Sequence, residues 1–440
     1  MGGKRTWLGA AAAVALMAAT VPAYAQSASP VTAEEIAAAA QAVNDRVIAW
    51  RRDIHQNPEL GNSETRTAAL VAEHLRELGM EVRTEVGITG VVGVLRGGRP
   101  GPVVALRADM DALPVLEATG LPFASTATGT YQGASVPVAH ACGHDAHVAM
   151  LMGAAEILAG MRDRLPGTIV FIFQPAEEGS PPGEDGGADL MIAEGAFSDP
   201  RPEAIFGLHV VTGPPGQIWW RPQGFMAASD RVDITLSGRQ THGAWPWRGV
   251  DIIALTADIV QTINTLTART IDPTTTPTVF TIATLDAGVR YNIIPDRAAL
   301  SGTLRTFDIE QRDDLIERAT LAIHNLAENY GATAEVSFVQ NAPLVFNDEA
   351  LAAWAVGPLG EAAGEANVNA GAPPTTVAED FAYYNEVAPT LFYHLGGTPD
   401  YDPATAPPNH SPQFHVDESV LPLGVRAHVL TAVRFLERGE

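Results

Sequence analysis

The sequence predicts an α/β protein: a large unit with helices on both faces of a mixed sheet, interrupted by a smaller βαββαβ unit. Three observations carry this. Apolar strand-like runs alternate with helical patterns through the first half of the chain. After Gln223 the order becomes strand, helix, two strands, helix, strand, which is the split pattern of a ferredoxin-like sandwich. After Phe346 helix and strand resume, so the second unit is an insertion. A length of 440 residues also favours two units over one core.

The elements follow in order. Residues 34–56 have apolar positions at helical spacing and stop before Asn57-Pro58; 64–78 form a second amphipathic helix, stopped by Gly79. Strands are expected at 90–95, 103–107, 168–173 and 204–210. Between the second and third, 147–161 is rich in Ala, Leu and Met and reads as a buried helix. In the insertion, strands are expected at 232–237, 278–287, 298–306 and 334–340, with helices at 251–266 and 309–330. A helix at 348–361, a strand at 391–395 and a last helix at 421–437 complete the larger unit. The expected organisation is a leader at 1–25, a discontinuous unit at 34–223 plus 342–440, and an inserted unit at 224–341.

Hydrophobic residues make up 46% and charged residues 18%, the balance of a folded soluble protein. The net charge of −24 repels phosphate backbones and argues against a nucleic-acid partner. The first residues read MGGKRTWLGAAAAVALMAATVPAYAQ. A basic start, a short apolar run and Ala23-Tyr24-Ala25 form a signal-peptide pattern with cleavage after Ala25. A retained anchor fits less well, because the apolar run is short and the cleavage pattern clear. The expected destination is the periplasm or the exterior, with no membrane span in the mature chain.

HACGHDAH, 140–147, holds the chain's single cysteine, Cys142. Exported proteins use cysteines in pairs, and a lone exposed thiol there invites oxidation. A thiolate held by a metal is protected. The 168–173 strand runs out into QPAEEG, so Glu177 and Glu178 follow a strand end, where α/β sheets place ligands. One of the two can bind metal while the other moves protons. Adjacent glutamates in a loop are more often simply solvated, and a lone His209 or His410 is more often packed than ligating. Together, however, Cys142, His144, Glu178, His209 and His410 suit zinc or a similar divalent ion. Five ligands can serve two ions if the thiolate bridges. Asp111, in RADMDALP, is either a turn cap or the acceptor for a ligand histidine's other N–H.

RADMDALP, HACGHDAH, FQPAEEG, GLHV, THGAWP, YNIIPD, AEDFAYY and NHSPQFH occur in this order. In this the chain resembles the peptidase family M20 amidohydrolases, which include aminoacylase-like enzymes, hippurate hydrolases and auxin amino-acid conjugate hydrolases. The resemblance covers nearly the whole chain after residue 40. It implies a zinc-peptidase-like catalytic domain with an inserted lid and dimerisation domain. It also implies two divalent ions, zinc or alternatively manganese, cobalt or nickel. On that pattern Cys142 bridges, Glu178 and His410 complete one site, and His144 and His209 the other. Glu177 is the general base, Asp111 orients a ligand histidine, and His242 reaches the partner subunit's site of a homodimer to stabilise the oxyanion. Asn292 and Arg305 hold substrate. The chain departs from its relatives at Gln240-Thr241, before His242, and at Ala146, where glycine is more usual. Ala146 and the Trp245–Trp247 pair are the candidates for a reshaped pocket.

The implied reaction is hydrolysis of an N-acyl or N-aroyl amino acid; a dipeptidase or carboxypeptidase acting on small peptides is the alternative. Two other classes compete. A cysteine hydrolase with Cys142 as nucleophile leaves Glu177, Glu178, His209 and His410 without work. An exported binding protein needs no base such as Glu177.

Overall fold

The computed structural model describes residues 1–3, 30–273 and 276–439. The expected leader and its cleavage point lie outside the described residues, except for 1–3. From Val31 onward the chain forms one unit.

Two long helices come first, α1 (Ala33–Gln56) and α2 (Thr65–Glu77). Thr32 caps α1 by accepting from the Glu35 N–H, and Glu34 and Glu35 suit its positive end. The strands β1 (Glu81–Val86), β2 (Gly90–Arg96) and β3 (Arg99–Asp109) follow, then a hairpin of β4 (Thr128–Tyr131) and β5 (Ala134–Pro137). Helix α3 (His144–Gly160) leads to β6 (Pro166–Gln174), α4 (Gly187–Ala193), β7 (Ala204–Val211), β8 (Ile218–Trp219) and β9 (Gln223–Met226). The insertion contains β10 (Ala228–Ser237), β11 (Thr241–His242), α5 (Ile252–Thr270), β12 (Val279–Ala287), β13 (Ile293–Ile294), β14 (Arg297–Thr306), α6 (Ile309–Tyr330) and β15 (Thr333–Ala342). The chain closes with β16 (Val345–Asn347), α7 (Glu349–Trp354), α8 (Val356–Ala363), β17 (Val368–Asn369), β18 (Thr390–Gly396) and α9 (Leu421–Leu436).

The large sheet runs β1-β2-β6-β3-β7-β18-β8-β17. Its centre, β6-β3-β7-β18, is parallel, while β1 and β2 pair antiparallel at one edge. Both faces are covered, which is why these strands are continuous apolar runs rather than alternating ones. Val91, Leu106, Phe171 and Leu391 point to the side packed by α1, α3 and α9. Val92, Ala105, Val170 and Phe392 point to the other side, with Met191 of α4 and Phe381. The helical stretch Glu418–Leu436, which ends with α9, is long and apolar enough to cross a membrane, but 78% of it is buried in the fold.

The insertion forms its own sheet, ordered β12-β14-β10-β15 and antiparallel throughout, the ferredoxin-like order. Ile234, Leu300, Ile259 and Leu315 give it a separate core under α5 and α6.

The differences from expectation have simple causes. The expected helix at 348–361 is two, α7 and α8, joined at Ala355; Pro358 lies within the second, where its missing N–H falls in the first turn. Strand β1 has an almost wholly exposed edge, so it shows little apolar alternation. The two-residue strands β8 and β17 are too short to leave a periodic signal. Helix α3 begins at His144, three residues earlier than expected, because Gly143 takes φ +97 just before it.

Candidate metal centre

The C-terminal ends of the parallel strands deliver the chemistry. β3 ends at Asp109, β6 at Gln174 just before the two glutamates, and His209 lies near the end of β7. Helix α3 starts beside them with His144, so its positive end faces the acids. Ala176 and His410 reach the site with φ of +52 and +69, left-handed conformations that are costly for residues with a Cβ.

Cys142 is buried, and its Sγ lies 3.4 Å from His209 Nε2 and 3.3 Å from His410 Nε2. Glu178 Oε1 lies 2.9 Å from His410 Nε2. Cys142, Glu178 and His410 thus form one cluster whose donor atoms all lie within 4.8 Å of one another. His144 and His209 fall in a second such cluster, with Asp109 and His147. The thiol stands between the two.

The hydrogen bonds fix which histidine nitrogens are free. His144 Nδ1 donates to the Asp111 carbonyl (2.8 Å) and lies 3.3 Å from the Asp111 carboxylate. Its buried Nε2 has no hydrogen-bond partner. His209 Nδ1 donates to the Val210 carbonyl (2.8 Å). Both rings therefore have Nδ1–H engaged and Nε2 turned to the cluster, the orientation of a metal-ligating histidine. His147 is different. Its Nε2 accepts the Val210 N–H (2.7 Å) and its Nδ1 donates to Asp109 (2.6 Å), so neither nitrogen is available. His147 orients Asp109 instead.

Electrostatics point the same way. Burial and the carboxylates of Glu178, Glu177 and Asp109 push the Cys142 thiol well up. A nucleophilic cysteine needs the opposite. Burial opposes a charge on His144, but Asp109 and Asp111 outweigh it and raise the ring to about 10. Burial holds His209 neutral. Negative charge sufficient to hold a proton on a buried imidazole, amid thiol, carboxylate and imidazole donors, fits divalent cations, which would take that proton's place.

Glu177 lies 3.8 Å from His144 Nε2, and among the described residues its carboxylate accepts no hydrogen bond. Burial, then Glu379 and Glu178, keep its carboxyl well above the usual range. Asp109, Glu177 and Glu379 crowd within 4.8 Å. The buried Arg107 offsets this charge, donating to Asp109 (2.7 Å), Glu379 (2.9 Å), Asp380 (3.2 Å) and Gln174 (2.8 Å). Asp111 also accepts the Glu178 N–H at 2.9 Å, tying the glutamate loop to β3.

Glu64 holds the same loop from beneath. It is fully buried and accepts the Ala176 N–H (2.8 Å) and bonds Thr89 Oγ1 (2.5 Å). Burial and Asp111 raise its carboxyl to about 8. On the opposite flank, Asp145 takes bonds from Arg51 (2.7 Å) and His55 (2.9 Å), fixing the first turn of α3 to α1.

His242, Asn292 and Arg305 belong to the insertion and hydrogen-bond to none of these residues. His242 is exposed; its Nδ1 accepts the Ala244 N–H (3.0 Å), so the neutral ring carries its proton on Nε2. Its ring lies 5.2 Å from that of Trp245. Asn292 Oδ1 is buried without a partner, and its carbonyl accepts the Gly243 N–H. Arg305 is engaged by Ser229 and Thr303. Ala146 is buried in α3.

A cavity of about 440 Å³ opens beside Cys142, His209 and His410. Trp219, Met226, Pro373, Pro374, Val377 and His394 form much of its wall, and among the described residues no Asp, Glu, Lys or Arg lines it.

Sequence reasoning missed Asp109, Glu64, Arg107 and Glu379, and gave His147 no role beyond support or packing. The period-2 alternation of β3 carries a signal for two of them, since Arg107 and Asp109 share a face.

The family model for peptidase family M20/M25/M40 matches residues 105–434. Thermostable carboxypeptidase 2 of Saccharolobus solfataricus is 39% identical over 89% of this chain and 96% of its own. The N-acetyl-L-cysteine deacetylase of Bacillus subtilis is 35% identical over 86% of this chain and 85% of its own. A dinuclear metal-binding M20 peptidase from Bacillus subtilis superposes with a TM-score of 0.75 at 33% identity, covering 90% and 99% of the two chains. With relatives of this identity along most of its length, the chain belongs to peptidase family M20/M25/M40 and is a hydrolase of amide bonds.

Proposed function

We propose that this protein hydrolyses N-acyl and N-aroyl amino acids to a carboxylic acid and a free amino acid, after export from the cytoplasm. The observation that carries this is the uncharged cavity beside Cys142 and His410. The amino-acid half of such a substrate bears a carboxylate, and a dipeptide's first half bears an ammonium. Neither is matched by a wall without fixed charge, because an unpaired charge is costly to desolvate. A neutral acyl group is matched.

In this reading Cys142, Glu178 and His410 would hold one divalent ion and His144 and His209, with the neighbouring Cys142, a second. Bound divalent ions supply polarisation of the amide carbonyl and acidification of water. Glu177, free of hydrogen bonds, takes the proton from water and returns it to the departing amine. Asp111 holds His144 in its ligating orientation and anchors the Glu178 backbone. The insertion acts as lid and pairing surface of a homodimer. The exposed Trp247, Val289 and Tyr291 support such a surface. His242, presenting a single N–H, serves the oxyanion in a second copy's site, while Asn292 and Arg305 bind substrate.

The carboxypeptidase relative favours a second reading, hydrolysis of small peptides. The test is release of free amino acid from hippurate, other N-acyl amino acids and unblocked dipeptides, with added zinc, manganese or cobalt. N-acyl substrates are expected to have the higher kcat/KM. A tenfold preference for unblocked dipeptides would overturn the first reading.

A further inference from the structure

The wall of the acyl cavity holds one buried polar side chain that the proposed mechanism does not use. His394 lies on β18, opposite His209 of β7 and opposite Trp219 of β8. The three residues form a row across neighbouring strands, from a candidate metal ligand into the cavity that all three line. The His394 ring is 6.2 Å from His209, 5.8 Å from Trp219 and 4.6 Å from Phe225. It is 6% exposed, and its Nε2 is buried without a hydrogen-bond partner.

Thr212 and Asn409, also in the wall, are already engaged. Thr212 donates to the Pro407 carbonyl (2.8 Å). Asn409 accepts the Thr212 N–H (2.9 Å) and donates to the Cys142 and Val210 carbonyls (3.1 and 3.2 Å). Thr375 is half-buried. An apolar residue at 394 would suit this aromatic setting without leaving a nitrogen unsatisfied. An imidazole there has a use if a ligand supplies its partner.

We infer that His394 is the specificity-determining residue of the acyl pocket, hydrogen-bonding an uncharged polar substituent, above all a hydroxyl, on an aromatic acyl group. The inference rests on the N-acyl amino acid reading above. Burial holds the ring down to about 3, so it is neutral across the working pH range and offers one N–H and one lone pair. A hydroxyl can meet either. The ring of Trp219 in the wall suits a flat aromatic group, and the volume accommodates one.

The experiment compares kcat/KM for N-benzoylglycine with that for its 2-, 3- and 4-hydroxybenzoyl analogues. It uses full-length zinc-loaded protein, wild type against His394→Phe, His394→Leu and His394→Gln. The readout is the ratio of the two specificities within each preparation, so a general loss of activity cancels. In the wild type, one hydroxybenzoyl isomer is expected to exceed benzoyl by about tenfold or more. The Phe and Leu variants should bring that ratio to about one, and Gln should restore part of it. Either apolar variant suffices if the other does not fold. Hydrolysis without a hydroxyl preference, or a preference that survives in the apolar variants, overturns the inference alone. A wild type that cleaves dipeptides but no N-acyl amino acid overturns the reading beneath it as well.

Discussion

Replacing Glu64 tests how the loop carrying Glu177 and Glu178 is held. Its carboxyl accepts the Ala176 N–H and bonds the Thr89 hydroxyl, and Ala176 sits at φ +52. Glu64→Ala leaves a buried N–H and a buried hydroxyl unpaired. At about 1–3 kcal/mol each, the loss is about 2–6 kcal/mol. Without that anchor the left-handed Ala176 has reason to relax, and a loop shift of about 1 Å is enough for about a hundredfold loss in kcat. Glu64→Gln should behave differently. The carboxyl titrates at about 8, so near neutral pH it is protonated, and the amide is its neutral isostere. The raised value also gives a sign. The unfolded acid gives up its proton near 4.5, whereas the folded one keeps it to about 8. Wild-type stability therefore falls as pH rises through that window, while Gln removes the dependence. The assay is amide hydrolysis together with urea unfolding at pH 5, 7 and 8.5. Glu64→Ala with activity within twofold of wild type would refute the positioning role. So would a Glu64→Gln variant as impaired as Glu64→Ala.

Further expectations concern separate parts of the site. Glu177→Gln should lower kcat by about 10²–10⁴-fold while leaving the melting temperature and metal content near wild type; near-normal turnover would remove Glu177 from the role of base. Arg107→Met leaves Asp109 and Glu379 buried without their cation and should cost about 3–5 kcal/mol in urea unfolding; a change under 1 kcal/mol would show the network relaxing by protonation. For His55, burial alone lowers the pKa, but Asp145 and Glu117 outweigh it and raise the ring to about 9. Its contribution of about 3 kcal/mol is present below 6.5 and lost as pH rises through about 9. Stability curves of wild type and His55→Gln should therefore converge in that interval, and parallel curves would contradict the assignment.

How much of the fold and the site was legible in the sequence depended on whether a residue's role is local. The parallel strands were legible because strands covered on both faces are apolar along their whole length. Cys142, His144, Glu178, His209 and His410 were picked out by residue type, with strand-end position added for Glu178 and His209, and the structure places their donor atoms close together. Residues whose meaning lies in a distant partner were not legible. Asp109 reads like its neighbour Asp111 until the fold sets β6 and α3 beside β3, which brings Gln174 and His147 around it. His147 sits in the same motif as His144, yet its two nitrogens serve Asp109 and the Val210 N–H, groups 38 and 63 residues away. Glu64 stands at the N-cap of α2, where a carboxylate ordinarily caps, but its side chain makes no cap bond and turns to Ala176 instead. His140, in the same motif, is buried, and among the described residues neither of its ring nitrogens has a hydrogen-bond partner.

The metal content of the protein is the sharpest test of a two-ion site bridged by Cys142. Chains loaded with zinc, freed of excess and measured by elemental analysis should retain about two ions each, and Cys142→Ser should retain fewer. Chelation should abolish hydrolysis, and added metal should restore it. Activity that survives full removal of metal and is blocked by iodoacetamide would contradict the two-ion site and return Cys142 to the role of nucleophile.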